Sequence, residues 1–373
     1  MNYRLISVDD HLEHSPKLWL EYVPEQYRHY IEEESWDVSM PGISNLWLNM
    51  VGPIPPEQRG SWDHPPFELK IPGSSGGTQE RLAEMNLDGV TASTIFGGTN
   101  ICGHIPAIKR KSEDAYIAII QAFNNFLSDF CAPCPERLLG VALIPAAGVD
   151  VAIEELRRVA KLPGIHSVVN LGFPNGSGLL AKEDDAFWAE SIKLKMPISI
   201  HGSMSGPWWA GGIGKWGAHE FGVWNCVRVE CQTGGPFDAA NFVLSGVFDR
   251  FPELRFCVSE CGASWVPFMA CQLDNNYYRH RNWGDLAPLE RMPSDYVMGE
   301  NSHFLWNVIV DPYAIKYRHD IGVKNLVWAS DFPHTATNWP RSKAHVANML
   351  FDVPDEEREL ICWKNAAKWL NLI

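Results

Sequence analysis

The chain has 373 residues, 46% of them hydrophobic and 20% charged, and its 31 basic and 45 acidic side chains leave a net charge of −14. That is the composition of a soluble globular protein, and an acidic chain with no basic stripe excludes non-specific nucleic-acid binding, because phosphates would be repelled. No stretch approaches the roughly 20 apolar residues of a membrane span. The opening MNYRLISVDDH lacks a signal peptide's apolar run and cleavage site, so a cytoplasmic location is expected. Nine cysteines without framework-like spacing fit reduced, buried thiols, and Cys131-x-x-Cys134 has no second pair to complete a zinc site.

Short β-branched and aromatic runs alternate with longer stretches of helical period. In chain order the pattern predicts strand Arg4–Asp9, helix Gln79–Leu87, strand Thr91–Phe96, helix Ala115–Phe130, strand Leu139–Ile144 and helix Val151–Lys161. It continues with strand Ser167–Leu171, helix Ala186–Lys195, strand Ile198–His201, helix Ala239–Phe248, strand Arg255–Glu260 and helix Trp265–Tyr278. Strand Phe304–Val310, helix Tyr313–Asp320 and strand Leu326–Ser330 follow, then helical sequence from Ser342, broken at Pro354 before Asp355–Leu370. Eight strands, each followed by helical sequence, point to one α/β domain over 1–373, a (β/α)8 TIM barrel.

Two segments interrupt the alternation. Residues of about 25–77 are rich in Pro, Gly and Trp, and 202–235 in Gly and Trp. As insertions after strands one and five they would hang over the catalytic face and roof its pocket. Trp209, Trp216 and His219 are then candidate substrate contacts, and Trp208 and Trp224 further walls; the same tryptophans could equally pack the insertion onto the barrel. Lys215, Arg228, Arg279 and Arg281 are candidate partners for a substrate carboxylate.

Several strands end in polar residues: VDDH, ISIHGS, CVSE and WASD. In a parallel barrel these ends form the floor of the active site. Asp9 and His11 lie two apart on one strand, so their side chains point the same way. Such a pair suits a divalent metal, or a simple Asp–His hydrogen bond. His201 at the end of strand five and Asp331 at the end of strand eight would place four oxygen and nitrogen ligands on one ring.

The order and spacing of VDDH, PISIHGS, GVFDRFPELRFCVSE and WASDFPHTATNWP, with CPERLLGVALIP and ICWKNAAKWL, resemble the amidohydrolase-related family of the amidohydrolase superfamily. That family includes aminocarboxymuconate-semialdehyde and γ-resorcylate-type decarboxylases, and the likeness spans nearly the whole chain. It implies a distorted TIM barrel holding one divalent metal through Asp9, His11, His201 and Asp331. Mixed carboxylate and imidazole ligation suits zinc first, with manganese or iron also compatible. His334, in the SD-x-PH pattern, would hydrogen-bond a ligand.

The resemblance breaks at Glu260, which stands where the decarboxylase branch carries a proton-transferring His. An unperturbed Glu, near 4.3, is a poorer proton donor at neutral pH than a His near 6.5. The expectation is therefore a hydrolase acting on a small cyclic or aromatic substrate. Asp331 would take the proton of the attacking water, and Glu260 or His334 would deliver one to the leaving group. The alternatives are non-oxidative decarboxylation of an aromatic or enoic acid, and a catalytically silent binding protein that keeps its metal as structure. The expected partners are a small-molecule substrate and further copies of the chain in a homo-oligomer, dimer or tetramer, with no nucleic acid and no membrane.

Overall fold

Eight short apolar segments form the strands: β1 Ile6–Leu12, β2 Ala92–Gly97, β3 Leu138–Ile144, β4 Ile165–Asn170, β5 Ile198–His201, β6 Phe256–Ser259, β7 Phe304–Val308 and β8 Leu326–Trp328. The computed structural model describes residues 4–12, 18–32, 77–98, 105, 107–202, 204, 234–284, 286–334 and 336–373. All neighbouring strands pair in parallel, in the order β1 to β8. The barrel closes not between β1 and β8 themselves but between β1 and the segment after β8, where Asp10 bridges Phe332. At this seam the Asp331 and His11 amides donate to the Asp9 and Phe332 carbonyls, each at 2.7 Å. With helices between the strands this is the expected (β/α)8 barrel.

Strand alternation sorts the side chains into two layers. Ile6, Val8, Ala92, Leu139, Cys257, Leu305 and Val327 cluster together with Ala366 and Ala367 of the last helix and Leu370 just after it. Ile198, Ile200, Phe256, Val258, Trp306 and Trp328 pack instead with helical residues such as Phe123, Leu156, Trp188 and Phe242. Phe256 is fully buried there, with the rings of Phe242 at 4.3 Å and Trp188 at 5.8 Å. Burying one such side chain contributes roughly 1.5–3 kcal/mol, so the outer layer fixes the helices to the barrel.

A bulge in β1 shifts the phase of this alternation. Ser7 pairs with Ser93 but Asp10 pairs with Ile95, so β1 carries one extra residue against β2. With Ile6 and Val8 in the inner cluster, strict alternation would turn Asp10 inward. The extra residue turns Asp9 and His11 inward instead, and puts Asp10 beside Ser7, whose hydroxyl donates to Asp10 Oδ1 at 2.9 Å.

The helices depart from the sequence pattern where turns intervene. The helix expected over 239–248 divides into Gly234–Leu244 and Val247–Arg250, because Gly246 takes a left-handed φ of 68° that ends the first run. The helix expected over 313–320 divides into Pro312–Lys316 and Arg318–Ile321. After Ser342–Met349, Pro354 does precede a new start, which runs as Asp355–Glu359, a π-helical turn over Leu360–Lys364, and Asn365–Trp369. β1 extends to Leu12, so Asp9 and His11 lie within the strand rather than at its end. Cys131 and Cys134 are free thiols at the end of the helix Glu113–Cys131. Among the described residues no helix is long and apolar enough to cross a membrane.

Candidate metal centre

Asp9, His11, His201 and Asp331 converge inside the carboxyl end of the barrel. His11 Nε2 lies 3.3 Å from Asp9 Oδ1 and 3.2 Å from Asp331 Oδ1, and His201 Nε2 lies 3.2 Å from Asp9 Oδ1. Asp9, His11 and His201 form one group with ligand atoms within 4.8 Å of one another; His11, Asp331 and His334 form a second, sharing His11. Three of the four expected ligands are shut off from solvent, whereas the His201 side chain keeps 19% exposure.

Second contacts aim these side chains. His11 Nδ1 lies 3.2 Å from the Gly97 carbonyl. Donating its hydrogen there leaves Nε2 with a lone pair toward the centre, the usual arrangement of a metal-ligating imidazole. The His334 ring stacks on His11 at 3.9 Å between centroids, and its Nδ1 lies 2.9 Å from Asp331 Oδ1. His334 thus lies against the carboxylate of Asp331, one of the expected ligands.

Glu260 is buried at the end of β6, with its carboxylate 3.8 Å from His201 Nε2. Glu260 and Asp331 both adopt a left-handed backbone at φ 56°. Such conformations cost about 1–3 kcal/mol in a non-glycine residue and persist where the surroundings impose them. For Glu260 the surroundings come from β7 and the turn after it: Asn307 Oδ1 accepts from its amide at 3.1 Å, and Asp311 Oδ2 accepts from the Ala263 and Ser264 amides at 2.8 and 2.9 Å. Trp265, five residues on, packs on Trp306 of the outer layer at 5.1 Å.

The charges favour opposite pairing. Burial pushes the Asp9 carboxyl up, but His201 and His11 outweigh it and hold it below its ordinary value. Burial likewise opposes ionisation of Asp331, and His334 and His11 overcome it. For His11 burial disfavours the cation, while Asp331 and Asp9 raise its pKa well above the usual imidazole value. On the other side of β1 burial pushes Asp10 up to about 7 against the opposing charge of Arg81.

The donor set fits a divalent ion. Both carboxylate oxygens of Asp9 and of Asp331, with Nε2 of His11 and of His201, are buried without a hydrogen-bond partner. Orphaned buried polar atoms are rare in folded proteins, and a cluster of carboxylate oxygens and imidazole nitrogens of this kind is what a cation would satisfy.

Three features of the site carry no signal in the sequence. The Phe96 ring lies 5.7 Å from His11 and 5.0 Å from His201 and forms an apolar wall. Asn307 holds the Glu260 amide. Arg81 reaches the His11 carbonyl from the helix Thr78–Asp88. Arg279 and Arg281 lie exposed at the far end of the helix Val266–His280, which runs from the end of β6 back toward the amino end of the barrel, and Arg281 stacks on Tyr278 at 5.0 Å. They do not face the centre. Trp208, Trp209, Trp216, Trp224, His219, Lys215 and Arg228 lie outside the described residues, as do most of both insertions.

Residues 77–372 match the family described as amidohydrolase. The chain is 27% identical over 248 residues to γ-resorcylate decarboxylase of Rhizobium sp. (strain MTP-10005), an alignment covering 58% of this chain and 66% of that enzyme, just under two thirds of its length. In fold it is similar to 5-carboxyvanillate decarboxylase from Sphingomonas paucimobilis, with a TM-score of 0.67 and 19% identity over 99% of both chains. It is also similar to 5-carboxyvanillate decarboxylase from Novosphingobium aromaticivorans, solved with manganese and 4-hydroxy-3-methoxy-5-nitrobenzoic acid, with a TM-score of 0.65 and 18% identity over 99% of this chain and 96% of that one.

Proposed function

Because the chain belongs to the amidohydrolase family, we propose that it is a metal-dependent, non-oxidative decarboxylase of an aromatic carboxylic acid, with Asp9, His11, His201 and Asp331 holding one divalent ion. The observation that carries this reading is the set of six orphaned, buried ligand atoms at the carboxyl end of the barrel. The decarboxylase relatives favour this reaction over the hydrolysis expected from Glu260. Manganese is preferred over the zinc expected from the sequence, since two carboxylates among four ligands suit a hard ion and a neighbour of the same fold was solved with manganese.

When bound, the ion supplies positive charge that anchors the substrate's oxygens and stabilises developing negative charge. The chain's own residues do the rest. Phe96, whose ring lies 5.0 Å from that of His201, is an apolar group against which an aromatic substrate would pack. The Gly97 carbonyl and the Asp331–His334 contact keep the ligand side chains turned to the centre. Breaking the bond between ring and carboxylate leaves its electron pair on the ring carbon, which must then take a proton as carbon dioxide departs. Glu260 is assigned that proton, because it is the buried acid beside the centre that the four-ligand set does not use.

Hydrolysis stands second, and a Glu at position 260 favours it, since a carboxylate can act as the general base toward water. The two are separated by incubating manganese-loaded protein with hydroxylated benzoic acids, and with cyclic or amide-bearing analogues, in deuterated, ¹⁸O-enriched water. Carbon dioxide release with deuterium on the vacated carbon is the expected result. Solvent ¹⁸O in a newly formed carboxylate, without carbon dioxide, would overturn it.

A further inference from the structure

We propose that Asp10 and Arg81, on the outer side of β1, form a buried clamp that sets the metal affinity of the centre by holding His11 and Asp331 in register across the barrel seam. The inference rests on the ligand set proposed above and not on the reaction.

The seam is where the barrel is most sparingly joined. β1 meets the segment after β8 through the bridge at Asp10 and Phe332, with the two backbone hydrogen bonds beside it. The proposed ligands straddle that seam, Asp9 and His11 on one side and Asp331 on the other. A small shift of one edge would change every distance across the centre, and metal–ligand distances tolerate only about 0.2 Å.

Asp10 fastens the two edges together. Its Oδ1 accepts from the Ser7 hydroxyl at 2.9 Å on its own strand and from the Phe332 amide at 3.1 Å across the seam, one residue beyond Asp331. Its other oxygen accepts from the Ser93 hydroxyl of β2. Arg81 completes the clamp from the side. It is fully buried and donates through Nη2 to the His11 carbonyl, and its guanidinium carbon lies 4.8 Å from the centre of the Phe332 ring. The remaining guanidinium nitrogens, Nε and Nη1, are buried without a hydrogen-bond partner. A buried cation so sparsely satisfied is a poor device for stability alone. Its contacts go to His11 and Phe332, each the residue that carries or directly follows a proposed ligand. The β1 bulge makes this possible, since it turns Asp10 outward while Asp9 faces the metal.

The test is the Mn²⁺ dissociation constant of the full chain, stripped with chelator, dialysed and titrated by calorimetry, with free Mn²⁺ followed by electron paramagnetic resonance. Asp10→Asn and Arg81→Met should bind Mn²⁺ about 10–100-fold more weakly than wild type, the range seen when groups behind metal ligands are changed. Arg81→Lys, which keeps the charge, should recover most of the loss. If either neutral variant fails to fold, Ser93→Ala, which removes one hydrogen bond from Asp10, carries the test and should weaken binding several-fold. Folded variants that melt at lower temperature yet bind Mn²⁺ with the wild-type constant would overturn the clamp while leaving the ligand set intact. Failure of the wild type itself to bind about one equivalent would overturn the ligand set, and the clamp with it.

Discussion

His303 links the pH stability of the barrel to one buried ring. It directly precedes β7, is 5% exposed, and stacks on Phe248 at 4.2 Å. Its Nδ1 lies 2.8 Å from the Leu254 carbonyl and its Nε2 lies 3.1 Å from Arg291 Nη2. The neutral ring satisfies both, donating from Nδ1 to Leu254 and accepting at Nε2 from Arg291. A proton on Nε2 would set two donors and two positive charges against each other. Burial, aided by Arg291 and Arg255 and opposed by the bond to Leu254, pushes the imidazole down from 6.5 to about 4. The unfolded chain accepts this proton below about pH 6.5 and the fold resists it, so the stability due to neutral His303 is complete above that pH and is lost as the pH falls toward 4. A displacement of about 2.5 units corresponds to about 3.4 kcal/mol in all, and about 2 kcal/mol of it falls between pH 7 and pH 5. Urea unfolding at those two pH values, on wild type and on His303→Gln, reads the difference directly. Wild type should lose about 2 kcal/mol more than the variant, which cannot titrate at this position. Equal losses in the two proteins would refute the assignment.

Two further outcomes follow from the metal centre. Chelator should remove activity and added Mn²⁺ restore it, and His201→Ala or Asp331→Asn should lower metal content by elemental analysis while circular dichroism stays native. Glu260→Gln should lower kcat by roughly 10²–10⁴-fold if Glu260 moves a proton in the rate-determining step, with metal content unchanged; an unaltered kcat would remove Glu260 from the chemistry.

The barrel was legible because its strands are short, apolar runs buried on both faces, and each gives way to a polar or turn residue where the floor of the site begins. That is why the sequence could bring Asp9, His11, His201 and Asp331 to the same end of the barrel, and why β2, β5 and β8 start within a residue of their expected positions. Helix interiors were legible for the same reason of periodicity, whereas the breaks near Gly246 and Tyr317 depend on how each helix must turn to keep its apolar face on the barrel.

The choice of reaction was less legible. Glu260 in place of a His tilted the sequence reading toward hydrolysis, but a residue type alone says nothing of what surrounds its carboxylate, and the decarboxylase relatives weigh the other way. The eight-strand pattern, and with it the expectation that Asp9, His11, His201 and Asp331 share one end of the barrel, is thus what the sequence by itself determined, because strand periodicity is local and residue chemistry is intrinsic. That a bulge in β1 sets the side on which Asp9 and His11 project, that the Phe96 ring lies beside His11, and that Arg81 reaches the His11 carbonyl were decided only by the tertiary structure. The bulge is a mismatch between two strands some 80 residues apart, and the ring and the guanidinium arrive from β2 and a separate helix. Such contacts exist only once the barrel has closed.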